Sequence, residues 1–283
     1  MRSCKRANCA VNDVPGRSVV VGYTLLMLLC PVRDCRLPLV RAERQLLCVR
    51  GHSFDVARSG YINLLQPQER RSKQPGDAPE AVAARRALHD RGVTAPLLEG
   101  IADFLGASSQ DVVLDAGCGE GYHLGTLTGR SGCKGHGIDI SVTAIDAAAR
   151  RYPNCEWIVG NADRFVPYAD GSFTAVLSIT ARMNTPEFRR VLRGDGRLLV
   201  ALPGPDDLIE LRGEGREDRV DRTVETFASG FQLVEQRRVT TQVELDADGV
   251  HDVLRSIYRP RRAQPVEGIR VTFSLDLLLL RPA

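Results

Sequence analysis

Residues 112–123 (VVLDAGCGEGYH) decide the fold, together with residues 137–141 (GIDIS) that follow them. A short β-branched strand runs into a glycine-rich turn, and a second apolar strand ends on an acid. Glycines allow backbone N–H groups to approach a ligand closely, and an acid at the end of the next strand can accept hydrogen bonds from ribose hydroxyls. The pattern therefore predicts a nucleotide-binding turn in an α/β fold.

The residues of this turn indicate which nucleotide it binds. Asp115, at the end of the first strand, suits a ligand with a cationic amine or sulfonium better than one with a pyrophosphate. The glycines form GxGxG, which lacks the spacing of the dinucleotide fingerprint. We therefore expect S-adenosylmethionine as the cofactor and a methyltransferase as the class of protein. A tight turn that binds nothing is the alternative, and Asp139, twenty-two residues beyond Gly117, argues against it.

Each part of the cofactor has an expected partner. The turn amides and Asp115 are predicted to hold the methionyl end, Asp139 the ribose diol and Ile140 the adenine face. Asp163 follows the third strand and is a candidate acceptor for the adenine amino group, with a turn-forming acid as the alternative. The cofactor residues predicted from this pattern are Asp115, Gly117, Cys118, Gly119, Glu120, Gly121, Asp139, Ile140 and Asp163.

Alternating strand and helix patterns extend the prediction to most of the chain. Strands are predicted at 112–115, 136–138, 156–159, 174–178 and 197–201, with a closing pair at 232–243 and 270–280. Helices are predicted at 81–90, 142–151 and 186–192, the second with Ser141 as its N-cap. Strands separated by helices indicate a mostly parallel sheet that binds ligands at the carboxyl ends of its strands.

A second set of ligands lies near the N-terminus. Cys30 and Cys35 are separated by four residues, twelve more precede Cys48, and His52 follows after three. Two such pairs around a short hairpin predict a tetrahedral zinc site, and a module of about 40 residues needs this kind of staple to fold. Cys4 and Cys9 share the first spacing and are competing ligands; scattered thiols are the other alternative.

Length and composition set the organisation of the chain. At 283 residues it can hold one large α/β domain and a small appendage. We divide it into a tail at 1–26, disordered or upstream of a true start at Met27, a zinc module at 27–66, a linker with helices at 67–106, and the large domain at 107–283. Residues 19–30 are apolar but too few to cross a bilayer. A signal peptide is the alternative for this segment. Secreted disulfide scaffolds are shorter and denser in cysteine than this chain, so we expect a cytoplasmic protein without a membrane partner.

The basic residues are mostly arginine. The net charge is only +3, but three of the 38 basic residues are lysines. Arginine suits phosphate and base contacts, although GC-rich coding produces the same bias. Two basic clusters are candidates for an RNA cleft, namely Arg70, Arg71, Lys73, Arg85 and Arg86, and Arg255, Arg259, Arg261 and Arg262. Solvated surface charge is the alternative for both.

The chain resembles the 23S rRNA (guanine-N1)-methyltransferases of the RlmA type from residue 27 onward. The matching motifs are 48–55 (CVRGHSFD), 60–65 (GYINLL), 75–77 (PGD), 84–87 (ARRA), 115–122 (DAGCGEGY), 139–141 (DIS), 147–153 (AAARRYP), 184–192 (NTPEFRRVL) and 202–204 (LPG). The resemblance implies a zinc-bearing RNA-recognition module fused to a class I, Rossmann-like methyltransferase domain, often as a homodimer. The implied substrate is a guanine in a domain II hairpin loop of 23S rRNA, and some members thereby protect the ribosome against macrolides.

The chain departs from the family pattern at the expected rim of the active site. Thr94 stands where many members carry a tyrosine near the cofactor, which adds Thr94 to the predicted cofactor residues. Residues 180–182 (TAR) replace an aromatic-Ala-Pro segment, and Asp207 replaces a histidine. These changes keep a catalytically degenerate RNA-binding homologue open as an alternative. A small-molecule methyltransferase is a third interpretation, against which the zinc module argues.

The reaction itself has few assigned residues. The target base must be unstacked to be reached, so we expect the protein to bind a loop rather than a duplex. Arg182 is a candidate to hold guanine O6 or a phosphate, and a surface arginine is the alternative. No residue stands out as a base that accepts the N1 proton.

Overall fold

The computed structural model describes residues 28–69, 75–257 and 268–283. Its strands are β1 (Val40–Ala42), β2 (Gln45–Leu47), β3 (Ser53–Asp55), β4 (Ile62–Asn63), β5 (Val112–Ala116), β6 (Lys134–Asp139), β7 (Glu156–Val159), β8 (Phe173–Ile179), β9 (Leu192–Pro203), β10 (Phe231–Leu245) and β11 (Ile269–Pro282). Its α-helices are α1 (Pro79–Asp90), α2 (Ala95–Leu105), α3 (Tyr122–Ser131), α4 (Val142–Arg151), α5 (Thr185–Val191), α6 (Ile209–Arg212), α7 (Val220–Phe227) and α8 (Ala247–Ser256).

Eight strands form one sheet in the order β10-β11-β9-β8-β5-β6-β7-β4. Strands β4 to β9 of this sheet are parallel, whereas β11 runs antiparallel to both β9 and β10. The chain goes from β5 outward to β6 and β7, then returns to β8 on the other side of β5. Ligands of open α/β sheets bind at such a reversal, beyond the carboxyl ends of the strands. The α/β prediction is confirmed, and the carboxyl end of β5 is where the glycine turn lies.

The central strands are apolar because helices cover both faces of the sheet. In β5, Val113 and Leu114 point to opposite faces, and both are fully buried. Parallel strands covered on both sides read as continuous apolar runs, which is why the predicted strands are all present. The closing pair is longer than predicted, since β10 and β11 pair from Phe231 and Pro282 to Leu245 and Ile269.

Helix starts follow their capping residues. Helix α4 begins as predicted, with the Ser141 hydroxyl accepting a hydrogen bond from Ala144 N at 3.3 Å. Helix α5 begins at Thr185, one residue before the predicted Pro186, because Asn184 is its N-cap and accepts from Glu187 N. A side chain that satisfies a free N–H at the first turn sets the start of a helix.

The zinc module (residues 28–66) is continuous with the large sheet. Strands β1, β2 and β3 form a small antiparallel sheet of their own. Strand β4 instead joins the large sheet, where Ile62 lies beside Ile158 of β7. Leu46 and Phe54 of the module belong to the same buried cluster as Ile158. The two parts therefore share a hydrophobic core, which the sequence pattern did not indicate.

Several predicted features lie outside the described residues. These are the tail 1–26 with Cys4 and Cys9, the start at Met27, and the basic residues Arg70, Arg71, Lys73, Arg259, Arg261 and Arg262. Across the three described stretches, no helix has both the length and the apolar character that a membrane crossing requires.

Candidate active site and metal centre

The glycine turn follows β5 and contacts both β6 and the segment that follows β8. Gly117 N donates to Ile138 O of β6 at 2.8 Å, which ties the turn to its neighbour. Gly117 has φ +90°, and a Cβ there would lie 2.5 Å from the Cβ of Ala181. Both observations require glycine. Residues 180–182 therefore lie directly over the turn, as expected for the rim of the site.

Asp139 is held at the end of β6 by two backbone donors. Gly119 N donates to its Oδ2 at 3.0 Å and Ser141 N to its Oδ1 at 2.8 Å. Burial raises the pKa of Asp139, while these two N–H groups favour its ionised form. Each carboxylate oxygen has a second lone pair, so Asp139 can also accept from a pair of ribose hydroxyls. The neighbouring Ile140 is partly buried against the core beneath.

Asp115 carries the unsatisfied group of the site. Its side chain is 1% exposed, and Oδ1 has no hydrogen-bond partner among the residues that the structure describes. Burial, together with the nearby charges of Asp139 and Glu120, raises the pKa of Asp115 to about 8. A buried, unpaired carboxylate oxygen is costly. The ammonium group of a methionyl moiety is a partner of the right charge, so Asp115 fits the predicted cofactor.

The side chain of Glu120 turns away from the turn toward helix α1. Its Oε1 lies 3.1 Å from His89 Nε2, and His89 Nδ1 lies 2.6 Å from the Thr94 hydroxyl. The His89 ring also stacks on Tyr122 with centroids 3.8 Å apart. Glu120 and Thr94 are thus joined through His89. The Cys118 thiol of the turn is also buried.

Two residues predicted for different roles form a pair at the rim. Arg182 Nε lies 3.4 Å from Asp163 Oδ2, and the arginine side chain is 78% exposed. Thr180 adopts φ +50°, an uncommon backbone conformation for this residue type that lets the segment bend across the turn. The pair places an exposed cation and an acid beyond the carboxyl ends of β7 and β8.

Asp207 lies beyond the end of β9 and is held by the neighbouring strand. Its Oδ1 accepts from Ser274 N at 3.1 Å, and Oδ2 lies 3.5 Å from Arg216. Burial raises the pKa of Asp207 to about 6, against the opposing effects of the Ser274 N–H and the Arg216 charge. The residue therefore fastens the β9 exit to β11.

Two members of the first basic cluster lie next to each other on α1. Arg85 is partly buried and paired with acids; its Nη2 bonds Asp77 at 2.5 Å and its Nη1 lies 3.5 Å from Glu120 Oε2. Arg86, the next residue of α1, is exposed and pairs with Asp90 at 3.6 Å. Consecutive residues of a helix point about 100° apart, which separates Arg85 from Arg86. No sequence pattern indicated that Asp77 and Glu120 would contact Arg85.

Cys30, Cys35, Cys48 and His52 meet at one point of the zinc module, with all ligand atoms within 4.8 Å of one another. The His52 Nδ1 atom lies 3.4 Å from Cys30 Sγ and 3.3 Å from Cys48 Sγ, and the Cys35 and Cys48 sulfurs are 3.9 Å apart. Ligands about 2.3 Å from a tetrahedral zinc would lie about 3.8 Å from each other. The four residues therefore fit zinc.

Backbone hydrogen bonds hold Cys48 and His52 in one turn and favour the thiolate form of Cys48, which is the form that binds a metal. Cys48 N and His52 O are 3.0 Å apart, and Gly51 N donates to Cys48 O at 2.9 Å, forming a tight knuckle. Burial opposes ionisation of Cys48, but the N–H groups of His52 and Arg50 outweigh it and lower its pKa to about 7. Four protein ligands leave no open coordination position, so this zinc is structural rather than catalytic.

Fold and sites together define a S-adenosylmethionine-dependent methyltransferase with an N-terminal zinc ribbon. Residues 28–73 match the family described as RlmA, N-terminal, and residues 113–200 match the methyltransferase domain family. The chain is 38% identical to a 23S rRNA (guanine(748)-N(1))-methyltransferase of Streptomyces fradiae, over 94% of this chain and 99% of that protein. It is 32% identical to a candidate 23S rRNA (guanine-N(1)-)-methyltransferase of Bacillus subtilis, over 81% and 85%.

The chain therefore belongs to the 23S rRNA (guanine-N1)-methyltransferase family. The predicted family, fold class, enzyme class, cofactor and zinc are confirmed.

Proposed function

We propose that this enzyme methylates N1 of a guanine in a domain II hairpin loop of 23S rRNA. The observation that carries the proposal is the match to the Streptomyces fradiae enzyme over almost the whole of both chains. Such an end-to-end match includes the zinc ribbon as well as the cofactor turn, and a methyltransferase for small molecules has no need of that ribbon. S-adenosylmethionine, when bound, supplies a methyl group activated by its sulfonium charge.

We assign the cofactor residues as follows. Asp115 and the backbone of the glycine turn bind the methionyl end, Asp139 binds the ribose diol, and Ile140 contacts the adenine face. Asp163 is the proposed acceptor for the adenine amino group, with its partner Arg182 on the other side. Thr94, immediately before α2, is proposed to contribute to the cofactor site through the hydrogen bond between its hydroxyl and His89. The buried orphan oxygen of Asp115 supports this arrangement.

In the proposed reaction, guanine N1 would form a bond to the methyl carbon as the methyl–sulfur bond breaks. S-adenosylhomocysteine would leave, and the N1 proton would pass to solvent water. Negative charge develops on O6 as that proton leaves, and a nearby cation stabilises it. Arg182 is the proposed cation, because it lies on the segment above Gly117 and its pairing with Asp163 is exposed and exchangeable. The remaining rate acceleration is proposed to come from positioning the base next to the methyl group.

RNA binding is proposed to involve the zinc module and the exposed basic residues near it. Arg86 and Arg255 remain candidates for the cleft, since both are solvent-exposed. A flipped-out guanine is the expected substrate state, because N1 is inaccessible within a duplex. We also propose a cytoplasmic, ribosome-directed enzyme that acts as a homodimer and confers macrolide resistance.

Primer extension tests the proposal. Purified enzyme, S-adenosylmethionine and unmodified 23S rRNA are incubated, and reverse transcription is read across domain II. N1-methylation blocks the Watson–Crick edge, so we expect one cofactor-dependent stop at a loop guanine, absent with Asp115→Asn. No stop, with cofactor binding intact, would favour the degenerate RNA-binding homologue. Expression in a macrolide-sensitive host, with drug tolerance measured, tests the resistance role.

A further inference from the structure

Helix α1 and the segment before it bring an arginine into the cofactor site. Four acids lie at or near the glycine turn, namely Asp77, Asp115, Glu120 and Asp139. Arg85 pairs with two of them, Asp77 and Glu120. The guanidinium lies over the turn itself, since a Cβ on Gly119 would lie 3.2 Å from Arg85 Nη1. The residue comes from outside residues 113–200, the segment that matches the general methyltransferase domain.

The charges of the cofactor explain why an arginine is needed there. The methionyl end carries an ammonium and a carboxylate. Asp115 suits the ammonium, but a carboxylate brought among four acids is repelled unless a cation receives it. Arginine presents five N–H donors that match a carboxylate fork. Among the described residues, Arg85 makes one side-chain hydrogen bond, to Asp77, so most of its donors are available to a ligand.

Asp77 is itself fixed against the end of β6. Its carbonyl oxygen accepts from the Ser141 hydroxyl at 3.4 Å. Gly76 packs so closely on Ser141 that a Cβ on the glycine would lie 2.6 Å from the serine Cβ. The segment 75–77 therefore forms a wall beside Asp139, and its aspartate holds Arg85 over the turn.

We propose that Arg85 binds the methionyl carboxylate of S-adenosylmethionine, and that Asp77 is the positioning residue that orients the guanidinium. The inference concerns the cofactor alone and does not depend on which RNA is methylated. A competing explanation is purely structural: Arg85 neutralises Glu120 and touches no ligand. The two explanations differ in whether the effect of Arg85 depends on the carboxylate of the ligand.

Calorimetric binding with two ligands separates these explanations. The ligands are S-adenosylmethionine and its decarboxylated form, S-adenosylmethioninamine, which keeps the amine and sulfonium but lacks the carboxylate. We expect Arg85→Gln to weaken S-adenosylmethionine binding about 10- to 100-fold, the range for a charge-assisted hydrogen bond, with little change for the decarboxylated ligand. Arg130→Gln, at an exposed arginine of α3 that pairs with Glu99, should change neither.

Equal weakening of both ligands by Arg85→Gln, or of neither, would overturn the proposal. Arg85→Lys keeps the charge without the fork and should recover part of the affinity. The wild-type enzyme provides a measurement that no misfolded variant can obscure. It should bind the decarboxylated ligand about 10-fold or more weaker, and equal affinity for the two ligands would contradict the assignment.

Discussion

The zinc module holds its three-residue strands with four metal ligands, whereas the eight-stranded sheet is held by side chains buried on both of its faces. In β1 to β3 the middle residues Leu46 and Phe54 are the buried ones. In β8, six of seven residues are buried. Three short strands with two buried side chains between them cannot by themselves offset the entropy of ordering their chain. Metal ligation therefore determines the structure of the zinc module, and burial of apolar side chains determines that of the large sheet, although the two regions are continuous.

Removal of a zinc ligand should give the largest effect and confine it to one region. Cys35→Ser removes one of four ligands from a type of site whose apparent binding free energy is about 10–16 kcal/mol in small domains. We expect loss of stoichiometric zinc and rapid proteolysis of the module, with S-adenosylmethionine binding retained because the glycine turn lies in the other region. Metal analysis and limited proteolysis measure this. Cys155→Ser, at a buried cysteine outside the site, should keep its zinc.

The largest effect expected within the sheet region is at Asp115. Its pKa is raised to about 8 by burial. Between about pH 4 and pH 8, Asp115 is therefore protonated in the folded state and ionised in the unfolded state. Stability from this group is therefore complete below about pH 4 and falls as the pH rises to about 8. Asp115→Asn should make the cofactor-free protein more stable than wild type at pH 9, on the order of a few kcal/mol, with a smaller gain at pH 6. Thermal unfolding at both pH values is the measurement.

Cofactor binding should move in the opposite direction in the same variant. Asp115→Asn removes the charge proposed to pair with the methionyl ammonium, and we expect affinity to fall about 100-fold. A stability gain without an affinity loss would show that Asp115 does not face the ligand. Zinc content should stay unchanged, because the substitution lies in the sheet region and not in the zinc module.

A polar network at the opposite end of β5 should give a moderate effect. Asp111 accepts from Ser108 N, Thr174 Oγ1 and Arg197 Nη2 at 2.8, 2.7 and 3.1 Å. Burial opposes its ionisation, but these donors outweigh it and lower the pKa of Asp111 to about 2.

The stability that Asp111 contributes is present above about pH 4 and is lost as the pH falls toward 2. Asp111→Asn should cost roughly 2 kcal/mol of unfolding free energy at pH 7, measured by denaturant titration, and leave both zinc and cofactor bound. An unchanged midpoint would contradict it.

The sequence was sufficient wherever local chemistry determines the structure. Apolar runs predicted the strands, Ser141 predicted the start of α4, and cysteine spacing predicted the metal centre. It was insufficient where contacts join distant segments. Nothing in the order of residues indicated that Arg85 would turn toward Glu120 or that β4 would leave the module for the large sheet. Such contacts depend on how elements pack, and residues 77 and 85 are separated from residue 120 by a complete helix and strand.

A substitution at the boundary between the two regions should have the smallest effect on stability, and it tests whether the regions unfold together. Ile62 is 2% exposed and lies beside Ile158, so it belongs to both the module and the sheet. Ile62→Val removes one methylene and should cost about 0.5–1.5 kcal/mol. If the regions unfold together, hydrogen exchange should quicken in β2 and in β7 by the same factor. Exchange that quickens in β2 alone would show that the zinc module opens independently, and that shared burial does not couple the two regions.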